Sequence, residues 1–228
     1  MEKKILIIAD SLAMPRGEVP FEMTWPYMLQ STYRKYYFID KTRRASTSER
    51  LVEEGGGYKN IERGADLLEH YKPNVVITQI GITDCSPRYL KKASVVYKLI
   101  NYSPNFLSNV VYYFLKKYAR RKLEYADVSL DKFRKNWLNY IERAKMLETK
   151  IICLAIAPPT NSFINKSPEI SEAIIKYNSC LEELSFKNKN FNFIQPFSQE
   201  LMEEFAIDEL HVGSKGHKHI YNTLKTFF

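Results

Sequence analysis

The chain has 228 residues, 45% of them hydrophobic and 26% charged. That is long enough to bury a substantial core and too apolar for a disordered segment. Lys and Arg number 34 against 26 Asp and Glu, a net charge of +8, which attracts anions: nucleic acid, an anionic membrane surface or an acidic substrate. No zinc-finger or RNA-recognition signature accompanies the basic clusters around residues 34–44 and 116–122, so a nucleic-acid partner is not expected. Three scattered cysteines, Cys85, Cys153 and Cys180, make neither a disulfide framework nor a zinc site, and their odd number fits a reducing compartment. No metal or cofactor is expected.

In chain order, the first apolar run, Ile5-Leu6-Ile7-Ile8-Ala9, reads as a strand over 4–9. It meets Asp10-Ser11 at once, too soon for a signal peptide. No later run has the length of a membrane span, so a cytoplasmic protein is expected. A helix over 24–33 follows, with Thr24 as its cap and Pro26 in its first turn. Then come a strand over 36–39, helices over 47–54 and 61–71, the latter ended by Lys72-Pro73, and a strand over 74–79. Gly81-Ile82-Thr83-Asp84 closes that strand. Residues 87–129 are too long for a plain connection and read as an insertion of one or two amphipathic helices. They hold the apolar–aromatic run 106–115 and the basic cluster after it, so that 106–122 offers a peripheral membrane contact as an alternative to a lid. A helix over 130–147, a strand over 151–157 stopped by Pro158-Pro159, a helix over 169–186, a strand over 192–194 and a last helix over 214–228 complete the pattern. Strand–helix alternation with near-continuous apolar strands predicts one α/β domain over 1–228, a parallel sheet covered on both faces.

Ligands of such sheets bind at the carboxyl ends of the strands. Ser11 follows the first strand, Gly81–Asp84 the third, and Asp208-Glu209-Leu210-His211 a loop after the last. They bring a serine nucleophile, an imidazole base and an orienting carboxylate to one rim, the groups acyl transfer requires. Arg16 and Arg88 fall near the same rim, placed either for an anionic substrate group or for a salt bridge to Asp10, Asp84 or Glu18. Asp10 and Asp84 read as loop-holding carboxylates. His217 and His219 are two apart, point away from each other on a helix, and read as ordinary helix positions.

At these residues the chain resembles the SGNH hydrolases, the GDSL esterase/lipase family, over essentially its full length. Ala9-Asp10-Ser11-Leu12 resembles the Gly-Asp-Ser-Leu block, Gly81-Ile82-Thr83-Asp84 the Gly-x-Asn-Asp block, and Asp208-Glu209-Leu210-His211 the Asp-x-x-His block. Tyr177-Asn178 is similar to a pair in the family's penultimate helix. The resemblance implies a flavodoxin-like three-layer α/β/α sandwich, about five parallel strands in the order 2-1-3-4-5. It also implies a serine esterase with Ser11 as nucleophile, His211 as base and Asp208 as its partner. The oxyanion donors it implies are the Ser11 N–H, an N–H of the 43–47 loop (Ala45 or Ser46) and the Gly81–Thr83 loop. Two departures stand out: the 43–47 loop has no glycine, and Thr83 stands where the family has Asn. With 16 Tyr and 13 Phe to stack on sugar faces, the expected substrate is an O-acetylated sugar or polysaccharide. The alternatives are an O-acyltransferase acting on a glycan, or a non-catalytic glycan-binding protein with a degraded oxyanion hole.

Overall fold

The computed structural model describes residues 3–52, 62–91, 94–119 and 121–228, without the side chains of Asn101 and Lys116. Its frame is a five-stranded, all-parallel sheet in the order β2-β1-β3-β4-β5, built from β1 (Lys4–Ala9), β2 (Tyr37–Asp40), β3 (Val75–Gln79), β4 (Lys150–Leu154) and β5 (Phe191–Ile194). This is the predicted order, and each predicted strand lies within a few residues of its observed bounds. The central strands are buried on both faces, which is why their sequences are continuously apolar rather than alternating.

Side-chain alternation along the strands divides the core in two. Leu6, Ile8, Val76, Ile151 and Cys153 face α5 (Leu130–Met146) and α7 (Glu169–Lys187), meeting Phe133, Trp137, Tyr140, Tyr177 and Leu181. Ile5, Ile7, Ala9, Ile77, Ile152 and Leu154 face the other way, against α1 (Trp25–Thr32), α8 (Gln199–Phe205) and α9 (Ser214–Leu224). The three layers are thus helices, sheet and helices. Shorter helices sit at the carboxyl rim: α2 (Ile82–Cys85) after β3 and α6 (Asn161–Lys166) after β4. Between α2 and α5 run α3 (Val95–Tyr102) and α4 (Asn105–Tyr118).

Three predicted helices change form. The 47–54 helix is a single 3-10 turn, Ser48–Leu51. Its first residue is tied by backbone and side chain to Asp84, and Arg50 folds back onto Ser46 Oγ and the Lys41 carbonyl. The 61–71 helix is likewise a 3-10 turn, Gly64–Leu67, entered through Gly64 at φ 47°, with Lys72 at φ 46° before the third strand. Residues 53, 54 and 61 of these two predictions, and residues 92, 93 and 120 of the predicted insertion, lie outside the described residues. The last helix ends at Leu224 and tightens into a 3-10 turn over Lys225–Phe227. Thr24 does occupy the N-cap of α1, but its hydroxyl donates backwards to the Phe21 carbonyl at 2.7 Å instead of capping. Among the described residues, no helix is long and apolar enough to cross a membrane, and all three cysteines are free and buried.

Candidate active site

The site is built where β1 and β3 run out side by side. Ala9 pairs with Gln79, and the Asp10 N–H donates to the Gln79 carbonyl at 3.0 Å, so Ser11 and Gly81 emerge from adjacent strands. Asp10 then turns the chain: its Oδ1 accepts the Leu12 N–H at 2.8 Å and caps a 3-10 turn beginning at Ser11. Burial pushes the Asp10 carboxyl up to about 7, against that one backbone bond. Asp10 therefore shapes the loop that carries Ser11, and nothing among the described residues accepts the N–H of Ser11 itself.

Asp208 and His211 come from the loop between α8 and α9. The loop folds on its own carboxylate, since Asp208 Oδ1 accepts the N–H groups of Leu210 (2.9 Å) and His211 (2.8 Å). The same carboxylate lies 2.9 and 3.0 Å from His211 Nδ1, and His211 Nε2 lies 3.2 Å from Ser11 Oγ. Partial burial works against the charge on Asp208, yet the two N–H donors and the imidazole outweigh it and hold the carboxyl below its ordinary value.

Arg16 completes this group. Its Nε is 3.0 Å from Asp208 Oδ2 and its Nη1 is 3.2 Å from His211 Nε2. A carboxylate only accepts and a guanidinium only donates, so the tautomer follows: Nδ1 carries the proton toward Asp208, and Nε2 presents its lone pair. That is the form a general base for Ser11 needs. Arg16 hangs from a tight turn closed by reciprocal Arg16–Val19 backbone bonds, with Gly17 in the left-handed region at φ 55°. Its spacing from Ser11 placed it at the rim, but its pairing with residues some 190 positions away has no local signature.

The loop after β3 depends on Gly81. Its φ is 134°, and an added Cβ would lie 2.7 Å from the Ile156 side chain, so only glycine fits. Ile156 is itself clamped by Asn178, whose side chain accepts its N–H at 2.9 Å and donates to its carbonyl at 2.8 Å. Tyr177 Oη donates to the Val128 carbonyl at 2.5 Å. The Tyr177-Asn178 pair thus braces the third loop from behind. Thr83 stands in the first turn of α2, half-buried, its hydroxyl unbonded among the described residues. Asp84 holds the neighbouring loop, accepting the N–H and hydroxyl of Ser48 at 2.9 and 2.6 Å while Asn136 donates to that hydroxyl. Burial pushes Asp84 up to about 7, in spite of the Ser48 bonds.

The other predicted residues are placed differently. The Ser46 hydroxyl is buried, donating to the Arg43 carbonyl and accepting from Arg50 at 2.7 Å each, so it braces its loop. Beside it Ala45 adopts φ 55°, the left-handed conformation that a glycine would take more cheaply. Arg88 pairs with Asp127 at 3.0 Å and exchanges backbone bonds with Lys122, which binds it to the base of the α3–α4 segment and not to the triad. His217 is buried and accepts the Trp25 N–H at Nδ1; desolvation, then the nearby His211, holds it down to about 4. His219 bonds the Pro196 carbonyl. Burial raises the Cys85 thiol well above its ordinary value, which leaves it inert as a nucleophile. Among the described residues, no group of three or more His, Cys, Asp or Glu could hold a metal ion. An open cleft of about 420 Å³ adjoins Asp208, lined by Thr160, Ser162, Glu203, Ala206, Ile207 and Glu209.

No family model and no curated protein matches the chain in sequence. Solved structures do match in shape. The psychrotrophic esterase EstA from Pseudoalteromonas sp., in a structure inhibited by monoethylphosphonate, is 17% identical with a TM-score of 0.55, covering 99% of this chain and 98% of its own. A catalytic mutant of Axe2, an acetylxylan esterase from Geobacillus stearothermophilus, is 16% identical with a TM-score of 0.63, covering 98% and 93%. A GDSL-like lipase from Bacteroides thetaiotaomicron is 13% identical with a TM-score of 0.60, covering 99% and 87%. Over nearly its whole length, this chain therefore has the three-layer α/β/α fold of the SGNH, or GDSL, esterases and lipases.

Proposed function

We propose that the protein is a serine esterase of the SGNH type that removes O-acetyl groups from a sugar or polysaccharide. The observation that carries the ester chemistry is the continuous relay from Asp208 through His211 to Ser11, with His211 in the basic tautomer. Ser11 Oγ attacks the ester carbonyl carbon as its proton passes to His211 Nε2, and the carbonyl π pair moves onto oxygen. The Ser11 N–H and the Gly81–Thr83 loop face this oxyanion. Collapse breaks the carbon–oxygen bond to the alcohol, which leaves with the proton from His211. Water then attacks the acetyl-Ser11, giving one proton to His211, and the second collapse returns that proton to Ser11 as acetic acid departs and ionises in solvent. In each half-reaction Arg16 Nη1 must yield the Nε2 lone pair to the attacking hydroxyl.

The carbohydrate side of the proposal is supported by the cleft beside Asp208. Of its carboxylates, Glu209 is ion-paired with Lys166 and Glu203 accepts the Asn161 N–H, and their remaining oxygens suit hydroxyl donors. Axe2, similar in fold, acts on acetylated xylan. Thr83 in place of an amide donor favours a second reading, a glycan-binding protein that has lost turnover. A fluorophosphonate probe separates the two: it should label the wild type, and Ser11→Ala should abolish labelling. Label retained in that variant excludes Ser11 as the nucleophile. His211→Ala should cut acetyl-ester turnover by several orders of magnitude. Tight glycan binding with no turnover of any acetylated glycan would favour the second reading.

A further inference from the structure

The α3–α4 segment carries charge and apolar surface in a combination found nowhere else among the described residues. Residues 85–123 contain nine Lys and Arg and no Asp or Glu, which leaves 25 basic against 26 acidic residues in the rest. The whole excess of positive charge therefore belongs to this segment. Its two helices turn narrow stripes inward: buried Ile100 and half-buried Tyr97 on α3, and half-buried Ser108, Tyr112, Leu115 and Ala119 on or just past α4. The Ser108 hydroxyl donates to the Ile100 carbonyl at 2.6 Å and fastens one helix to the other. The outer faces are apolar and open. Leu99, Tyr102, Phe106, Phe114 and Tyr118 are each more than half exposed, and 11 of the 19 large exposed hydrophobic side chains among the described residues lie between Val95 and Tyr118. Exposed Lys98 and Lys117 stand among them.

We propose that the outer face of α3 and α4 docks on an anionic phospholipid surface, with aromatic side chains entering the headgroup layer and the lysines facing lipid phosphates. An apolar face of this extent on a solvated protein marks a contact surface, and the charge selects the contact. A second copy pairing through the same face would set Lys98 and Lys117 against their own counterparts, whereas an anionic bilayer satisfies charge and apolar area together. This segment leaves the carboxyl rim just past α2 and returns to it, since Arg88 and Lys122 exchange backbone bonds. Docking thus brings the rim toward the bilayer.

Vesicle flotation with the full chain tests this without reference to esterase activity. Vesicles containing 30% phosphatidylglycerol should bind the protein at least tenfold more tightly than pure phosphatidylcholine, and added salt should weaken that binding. Phe106→Ser with Phe114→Ser, and separately Lys98→Ala with Lys117→Ala, should each lower affinity for the anionic vesicles at least tenfold. Melting temperature and fluorophosphonate labelling should be unchanged in both variants, which keeps a loss of docking distinct from a loss of fold or of the serine site. Absence of binding, or equal binding to both vesicles, overturns the proposal. So does sedimentation showing a dimer that the Phe106/Phe114 variant dissociates, with no vesicle binding.

Discussion

Arg16 bonds Asp208 and His211 at once. Held on Asp208, it steadies the loop that presents His211; held on Nε2, it competes with the Ser11 hydroxyl for the one lone pair that can activate it. The side chain is 47% exposed, so each contact is screened and contributes little, at most about 1 kcal/mol. Competition of that size corresponds to about a fivefold rate effect. Arg16→Ala should therefore speed acylation of Ser11 by a small neutral phosphonate, by up to about fivefold in a stopped-flow or gel-based labelling assay. A drop of more than tenfold would instead make Arg16 part of the machinery. That Ser11, Asp208 and His211 meet at one rim was legible in sequence because each lies beside a strand end or a loop carboxylate. The Arg16 contacts were not, because they exist only once the first loop and the 208–211 loop are folded against each other. The same reason hid the diversion of Arg88 to Asp127.

At the level of elements, the loop after β3 is rigid on one side and under-furnished on the other. Gly81, Ile156 and Asn178 lock its backbone, so the first turn of α2 is presented in a fixed pose. What it presents at position 83 is a short hydroxyl. Where an amide donor serves an oxyanion, its loss costs on the order of 3–4 kcal/mol of transition-state stabilisation. Thr83→Asn should accordingly raise kcat by at least tenfold with little change in KM, measured on an acetyl ester; an unchanged or lower kcat would show that position 83 does not face the reacting oxygen. The long periodic helices and the apolar strands were readable from sequence because their burial follows a single repeat. The two 3-10 turns replaced predicted helices because tertiary bonds, Ser48 to Asp84 above all, captured the backbone groups that an α-helix would have used. The six- and seven-residue helices α6 and α8 went unpredicted, being too short to show a period.

At the level of the whole molecule, three buried groups couple stability to pH. Asp10 and Asp84 keep their protons to about pH 7 in the folded chain and release them near 3.8 when unfolded. Each thus adds stability that is complete below pH 3.8 and lost as pH rises through 7. His217 runs the other way: it stays neutral down to about pH 4 when folded but takes up a proton near 6.5 when unfolded, so its contribution is lost as pH falls. Between pH 5 and 6.5 the folded chain holds about one proton more than the unfolded one, and stability should decline as pH rises. Asp84→Asn keeps an acceptor for Ser48 and leaves Asp10 and His217 to oppose each other. Its melting temperature should be nearly level across that window by scanning calorimetry, and a slope equal to wild type would contradict the assignment. The reciprocal backbone bonds between Arg88 and Lys122, at 3.2 and 2.8 Å, have a consequence of another kind. They bring the two ends of a 33-residue excursion, 89–121, to a single point on the rim, so the excursion joins the sheet as a plug-in does a socket. Evolution, or an engineer, can trim, lengthen or exchange such a cassette while the strands that place Ser11 stay as they are, and so change what the rim meets without changing the rim itself.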